Sequence, residues 1–140
     1  MDTYTIDIEL EHYYGERVAM NSRDACRRLY IRATARFHGP ELDKYLDRVR
    51  SHAKAYASLC RMLRSPFRHM EAPLFLSSLI LFAAGVAALI FGDFSIPVAG
   101  GTSAALVGMV ECARKLFAIR RRYALREAVF RELAESMQKM

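Results

Sequence analysis

The sequence predicts an all-α membrane protein: a two-helix transmembrane hairpin flanked by long cytoplasmic helices. Three observations support this fold class. Two apolar segments are separated by a short turn, basic residues gather beside both of them, and the flanking chain repeats apolar residues at helical spacing. The overall composition, 53% hydrophobic and 26% charged, conceals this arrangement because the charges are segregated. The net charge is −4 over residues 1–20, +8 over 21–70, −3 over 71–111 and +5 over 112–140.

The first predicted span, residues 72–91, contains no charged residue, and eleven of its twenty residues are Leu, Ile, Phe or Val. A helix of that length rises about 30 Å, the thickness of the hydrocarbon core of a bilayer. Each of these apolar side chains contributes about −0.3 to −0.6 kcal/mol to insertion, which outweighs the cost of Ser77 and Ser78. The alternative, a helix buried in a soluble core, would need covering by an arginine-rich remainder. We therefore expect a transmembrane helix.

The second predicted span, residues 95–111, follows a loop at residues 92–94 and is less apolar. It includes Pro97 and several glycines, so its insertion relies on a packing partner. Small residues recur four apart in this span and also share one face of the first span, so we expect these faces to meet within the hairpin or between subunits. The predicted packing residues are Ala84, Ala88, Gly100, Ala104 and Gly108.

The basic residues predict the topology. They lie just before the first span and just after the second, whereas the loop between the spans has none. The positive-inside rule then places both termini in the cytoplasm, at a bacterial inner membrane, and the loop outside. Because the cations cluster beside the spans, we expect anionic lipid head groups as partners and no nucleic acid. The predicted lipid contacts are Arg61, Arg64, Arg68, Arg114, Lys115, Arg120, Arg121 and Arg122.

Residues 1–40 combine an acidic arm with a basic helix. Apolar and polar side chains alternate between Tyr4 and Leu10, which predicts a short strand or extended arm; a frayed acidic tail is the alternative. Ser22 can cap a helix that runs to about Phe37. The arginines of that helix form a stripe that would either lie on anionic lipid or answer the acidic arm. We expect any cytosolic regulatory partner to bind this N-terminal region.

Two cytoplasmic helices are predicted to flank the spans. Residues 112–140 contain no proline or glycine and should continue as a C-terminal helix. Residues 41–71 should form a helix with a coiled-coil seam, because apolar residues alternate at spacings of four and three. Within this segment, Ser65–Pro66 predicts a break or a newly capped start before the first span. Both helices leave the membrane on the same side, so we expect antiparallel packing, with leftover apolar faces that favour a homo-oligomer. The seam consists of Leu42, Leu46, Val49, Ala53, Tyr56, Cys60 and Leu63.

No pattern of catalytic or metal-binding residues is present. The sequence has no phosphate-binding glycine motif, no Cys/His set at zinc spacing and no nucleophile motif. We therefore expect neither an enzyme nor a cofactor. The three cysteines are scattered, which is typical of reduced, buried thiols rather than of disulfides.

Five polar residues in or beside the spans suggest a pore. Asp93 in the loop and Glu111 at the cytoplasmic end of the second span would form acidic rings in an oligomer, and acidic rings select cations. The simpler interpretations are a salt bridge between Glu111 and a following basic residue, and a solvated turn at Asp93. The other candidates for the pore lining are Ser77, Thr102 and Ser103.

The order of these elements resembles the SLATT-type two-transmembrane effector proteins of bacterial conflict and nucleotide-signalling systems. The resemblance is one of layout, covers about residues 41–140 and includes the tail RRYALREAVFRELAE. It implies a pore-forming or membrane-disrupting effector of antiviral defence that stays inactive until a partner signals, and it assigns no role to an individual residue.

Three functional hypotheses follow. The first is an oligomeric pore or ion channel of the inner membrane, with a cytoplasmic helical domain that assembles or gates it. The second is a non-conducting adaptor, in which the hairpin anchors a coiled-coil scaffold for a cytosolic partner. The third is a phage holin or exclusion protein, against which the structured N-terminal region of about 70 residues argues.

Overall fold

The computed structural model describes residues 3–92 and 95–139, and it is all-helical, with no strand in these two ranges. The all-α prediction is thus confirmed for the described chain. Five α-helices and one 3₁₀ turn follow one another: α1 (Thr3–Ala19), α2 (Ser22–Arg36), α3 (Pro40–Leu63), the turn Pro66–Arg68, α4 (Glu71–Phe91) and α5 (Ile96–Ser136).

The prediction of a strand or a frayed tail at the N-terminus is wrong, because residues from Thr3 onwards form α1. Ile6 and Leu10 are each 1% exposed, whereas Ile8 between them is 53% exposed. A strand would place all three on one face, but a helix separates the middle residue from the other two. The alternation of apolar and polar residues in this segment therefore does not indicate a strand, and packing against α2 stabilises the helix.

Helix α2 begins at Ser22 and ends at Arg36, close to the predicted range. Asn21, rather than Ser22, occupies the capping position, and its side chain forms no capping hydrogen bond. The chain reverses at Gly39, whose φ of 56° lies in the left-handed region that glycine adopts without strain. The apolar side of α2 is buried and includes Cys26, Leu29 and Ala33.

Helix α3 ends at Leu63, at the break predicted for Ser65–Pro66 and before residue 71, the limit of the predicted segment. Pro66 causes this early end, because it lacks an N–H group and disfavours helical geometry in the residue before it. Several seam residues are buried, including Val49, Ala53 and Cys60.

Helix α4 begins with Glu71, an acidic residue where the helix dipole favours one, and ends at Phe91. The N–H of Gly92 donates to the carbonyl of Ala88 at 2.9 Å and closes the last turn. Helix α5 is one continuous helix of 41 residues. It therefore joins the second predicted span and the predicted C-terminal helix without a break, and Pro97 is tolerated in its first turn.

The described chain divides into two compact units. We name Met1–Met62 with Tyr123–Met140 the polar unit, and Leu63–Arg122 the apolar unit. The polar unit has its own core, to which α1, α2, α3 and the end of α5 all contribute. The buried apolar residues that form this core are Ile6, Leu10, Tyr13, Ala25, Cys26, Leu29, Ala33, Tyr45, Val49, Ala53, Val129, Phe130, Leu133 and Ala134.

Within the polar unit, α3 and the end of α5 run antiparallel, as predicted. The ring of Tyr56 lies 5.7 Å from that of Phe130, and Arg61 forms an ion pair with Glu127 at 3.1 Å. The residue number rises along α3 as it falls along α5, which defines the direction. Aromatic pairs at this separation add about 0.5–1.5 kcal/mol beyond the area that they bury.

Candidate membrane-spanning helix pair

Helices α4 and α5 pack against each other in the apolar unit through a glycine. A Cβ atom at Gly85 would lie 3.0 Å from the Cβ of Thr102 and 3.2 Å from its Cγ2, which is closer than side-chain atoms normally approach. Farther along, a Cβ at Gly108 would lie 3.3 Å from the Ser78 hydroxyl. Since the number rises on α4 as it falls on α5, the two helices are antiparallel where they touch.

Thr102 is the polar residue at the centre of this contact, and it is 8% exposed. Its hydroxyl donates a 2.7 Å hydrogen bond to the carbonyl of Val98, one turn earlier in α5. The only polar group of the side chain is thereby satisfied inside its own helix. This allows a threonine to pack between two apolar helices at little cost.

The outer surface of the pair is apolar. Both α4 and α5 are long and apolar enough to cross a membrane, and 0% of the most apolar window of either helix is buried. Core helices of soluble proteins that are equally apolar are mostly buried, so a soluble core is a poor description of these two. The large apolar side chains that are at least 40% exposed here include Leu74, Leu76, Leu79, Ile80, Leu81, Ile90, Phe91, Ile96, Leu106, Val107 and Val110. Contiguous exposure on this scale marks a membrane or an interface.

The small residues predicted to pack the spans lie mostly outside the pair. Ala84 and Ala88 of α4 are exposed, as are Gly100 and Ala104 of α5, and only Gly108 lies beside the partner helix. Within the pair, therefore, the two predicted small faces do not meet. Their association between subunits stays a prediction.

Gly85 is a packing residue that the spacing of small residues did not predict. It is the only glycine in residues 72–91, which is the signal that could have identified it. The small-xxx-small pattern identifies small residues that are four apart on one helix. The contact at Gly85 instead depends on a single residue without a side chain on α4, where one side chain of α5 packs.

The predicted pore-lining residues separate into two groups. Ser77 and Ser103 are exposed, and their hydroxyls donate to the carbonyls of Pro73 and Ala99, each at 2.9 Å. Thr102, in contrast, faces α4. Its side chain therefore cannot line a lumen that lies outside the helix pair. Asp93 lies outside the described residues.

Glu111 behaves as the simpler interpretation predicted. Its carboxylate lies 3.8 Å from the guanidinium of Arg114, and both side chains are more than half exposed. Such an exposed pair contributes about 0–1 kcal/mol. The geometry leaves the carboxylate accessible, so its role as an acidic ring in an oligomer stays a prediction.

The predicted lipid-contact residues also differ in their surroundings. Arg61 belongs to the polar unit, where its guanidinium pairs with the nearly buried carboxylate of Glu127. The others lie in the apolar unit, and all of them are exposed: Arg64, Arg68, Arg114, Lys115, Arg120, Arg121 and Arg122.

The arginine stripe of α2 forms ion pairs with acidic residues of α1 through Arg32, which is one of the two predicted roles of the stripe. Arg32 donates to Glu9 at 2.6 Å and to Glu16 at 2.8 Å and 3.1 Å. The hydrogen bond from Arg32 lowers the pKa of Glu16 below its usual range, against the effect of burial. The Ser22 hydroxyl and Arg17 similarly lower the pKa of Glu132. These pairs connect α1 to α2 and to α5 through charge.

Two of the three cysteines are buried in the polar unit. Cys26 and Cys60 are free and buried, and burial raises the pKa of both thiols. They therefore stay protonated and pack as small apolar groups. In residues 3–92 and 95–139, no group of three or more His, Cys, Asp or Glu side chains could hold a metal ion.

No protein-family model, no curated protein and no solved structure matches this chain. The function is therefore inferred from its own residues: an apolar helix pair, small and hydroxyl-bearing residues on the outside of that pair, and a polar unit with a separate core.

Proposed function

We propose that this protein is an integral membrane protein of the bacterial inner membrane, with α4 and residues 95–111 as its two spans. The exposed apolar surface of the pair supports insertion, because a bilayer would remove that surface from water. The basic residues at both flanks support the orientation, with both termini in the cytoplasm.

The function that this arrangement supports best is an oligomeric pore or ion channel, acting as an effector in bacterial defence. One observation carries the proposal: small and hydroxyl-bearing residues lie on the outside of the pair, away from the contact between α4 and α5. Ala84 and Gly100 would let backbones of neighbouring copies approach closely, and Ser77 and Ser103 would offer hydroxyls to a lumen. The polar unit would assemble or gate the ring.

Reconstitution into vesicles tests the pore. Purified protein should release a trapped cation and migrate as an oligomer. Gly100→Leu and Ala84→Leu should abolish both properties without loss of helix content, because each fills a surface where copies approach. Val110→Leu is the matched control, since it changes an exposed apolar residue without filling a gap between small ones. No release by the wild-type protein would reject the pore, and unchanged oligomers with unchanged release in both variants would reject Ala84 and Gly100 as contacts between copies.

Asp93→Asn separates a ring of acids from a solvated turn. In a cation-selective pore, removing the charge at the outer mouth should reduce the preference for cations over anions. An unchanged preference would leave Asp93 as a turn residue, and Glu111→Gln would then test the inner mouth by the same measurement.

A second candidate function is a non-conducting membrane adaptor. The polar unit favours it, because this unit has its own core and an open groove of about 680 Å³ between α2 and α3, lined in part by Leu29, Tyr30 and Leu46. A cytosolic partner could bind there. Replacing both spans with an unrelated hairpin anchor should preserve the function of an adaptor, whereas a pore would lose its activity.

A further inference from the structure

The segment that enters α4 has a defined shape, and we name Ser65–Met70 the elbow. Two backbone hydrogen bonds close it: Arg68 N–H donates to the Ser65 carbonyl at 3.4 Å, and His69 N–H donates to the Pro66 carbonyl at 3.3 Å. The Nε2 atom of His69 also lies 2.7 Å from the carbonyl oxygen of Leu63, the last residue of α3. The backbone N–H groups of Arg68 and His69 are thus satisfied within the elbow.

The elbow presents two large apolar side chains to its surroundings. Phe67 is 85% exposed and Met70 is 83% exposed, which places them among the most exposed large apolar residues of the described chain. Arg68, also exposed, lies between them in sequence. An isolated exposed residue needs no explanation, but two exposed apolar side chains and an exposed cation within four residues make this segment amphipathic, immediately before α4.

We propose that the elbow is an interfacial lipid anchor, in which Phe67 and Met70 enter the boundary between head groups and acyl chains while Arg68 contacts lipid phosphate. This inference rests on the proposed membrane insertion of α4. Charge complementarity favours the lipid surface, because anionic head groups attract the exposed Arg68 guanidinium, which follows Phe67 in the sequence. The local backbone hydrogen bonds lower the cost of placing the elbow at that depth.

A lipid surface fits the elbow better than a protein partner does. The first uncharged residues of α4 follow at once, beginning at Ala72, so an inserted α4 brings the elbow to the surface of the bilayer. A protein partner would have to cover Phe67 and Met70 at the surface of the bilayer, where it would compete with lipid for the same side chains.

Tryptophan fluorescence tests this directly, because the chain contains no tryptophan. Phe67→Trp places a single fluorophore in the elbow of the full-length protein, reconstituted into phosphatidylcholine vesicles. Leu81→Trp, at the middle of α4, reports insertion, and Leu125→Trp, an exposed position of the polar unit, reports water. The quenchers are phosphatidylcholines brominated either near the head group or near the end of the acyl chain.

For Phe67→Trp we expect a blue-shifted emission and a greater loss of emission with bromine near the head group than with bromine at the chain end. Leu81→Trp should show the opposite order, and Leu125→Trp should lose no emission. If Leu81→Trp is quenched but Phe67→Trp is not, the elbow lies in water or against protein and the inference is overturned. Deep quenching of Phe67→Trp overturns the interfacial placement as well. If neither is quenched, the membrane proposal itself fails.

Arg68→Gln in the Phe67→Trp chain tests the phosphate contact. With Arg68 present, vesicles that contain brominated anionic lipid should quench more strongly than vesicles in which only the zwitterionic lipid is brominated. Loss of one cation near the surface should reduce that preference about fivefold. An unchanged preference would remove Arg68 from the proposed anchor.

Discussion

At the scale of single residues, the approach of α4 to α5 depends on Gly85, which has no side chain at the place that the Thr102 side chain occupies. The threonine is nearly buried and bonds to its own helix through the Val98 carbonyl. The contact therefore needs no hydrogen bond between the helices, only a match of shape. Such contacts respond strongly to added volume, because packed helices have few gaps to absorb it.

Gly85→Ala should destabilise the helix pair by about 1–3 kcal/mol, because the new methyl group would overlap the Thr102 side chain. Thermal unfolding in detergent measures the effect. Adding Thr102→Ala should recover part of the loss, since it removes the hydroxyl and the methyl group of the threonine.

Gly101→Ala is the matched control for this prediction, because a Cβ at Gly101 would meet nothing within 4 Å. It should leave the stability unchanged or raise it slightly, as expected for alanine replacing glycine in a helix. Equal effects of the two substitutions would show that Gly85 is not a packing contact.

Charge pairing in the polar unit also acts through single residues. Arg32 lowers the pKa of Glu16, and a carboxylate with a lowered pKa stabilises the folded state above its unfolded pKa, about 4.3. That contribution is lost as the pH falls through the folded pKa. The polar unit should therefore weaken as the pH drops below about 4.

Arg32→Gln should destabilise the polar unit at neutral pH by about 1–3 kcal/mol, because it leaves two nearly buried carboxylates without their shared donor. The difference from the wild type should shrink as the pH falls through the folded pKa of Glu16, because the wild type then loses the contribution of that ion pair as well. Hydrogen exchange of α1 and α2 amides measures both effects. Arg27→Gln, at an exposed position of the same helix, should follow the wild type at every pH, and a similar loss there would refute the assignment.

At the scale of elements, α1 shows how a pattern of a few residues can predict the wrong structure. Tyr4, Ile6, Ile8 and Leu10 alternate with polar residues, which is the period of a strand. The same chain also places Ile6, Leu10 and Tyr13 at helical spacing, and these three residues are buried. The helix prevails because α2 supplies both an apolar surface and Arg32, which pairs with the carboxylates of α1.

Leu10→Ala should cost about 2–5 kcal/mol, because Leu10 is buried in the core of the polar unit. Ile8→Ala should cost little, since Ile8 is more than half exposed. Denaturant unfolding of the full chain compares the two. Similar costs would mean that the residues share a buried face, as in a strand, and would contradict the helix.

Helix α5 illustrates the opposite outcome, because its extent follows from the sequence. Between Glu111 and Met140 the chain has no proline or glycine, and the structure continues as one helix to Ser136. Where composition removes every helix breaker, local propensity and tertiary packing agree.

At the scale of the whole molecule, the segregation of charge gives the clearest functional prediction. The net charge is +8 over residues 21–70 and +5 over residues 112–140, while residues 92–110 carry a single charge, that of Asp93. The rule that retains positive residues in the cytoplasm then places both flanks on one side and the loop on the other.

Labelling with a membrane-impermeant maleimide tests this topology in intact cells. With the three native cysteines replaced by alanine, Ser95→Cys should be labelled from outside, whereas Gln138→Cys should be labelled only after the membrane is permeabilised. Labelling of Gln138→Cys in intact cells would place the C-terminus outside and overturn the orientation.

The sequence by itself determined the features that arise from many residues acting together: the helical class, the two apolar segments, the end of α3 before Pro66 and the uninterrupted course of α5. These follow from local propensity and from the additive cost of placing residues in water or lipid. Only the tertiary structure decided which residues touch. It turned α1 into a helix, paired Arg32 with Glu9 and Glu16, and seated Thr102 against Gly85. The reason is physical: a contact depends on the shape and charge of a second segment, which no local pattern contains.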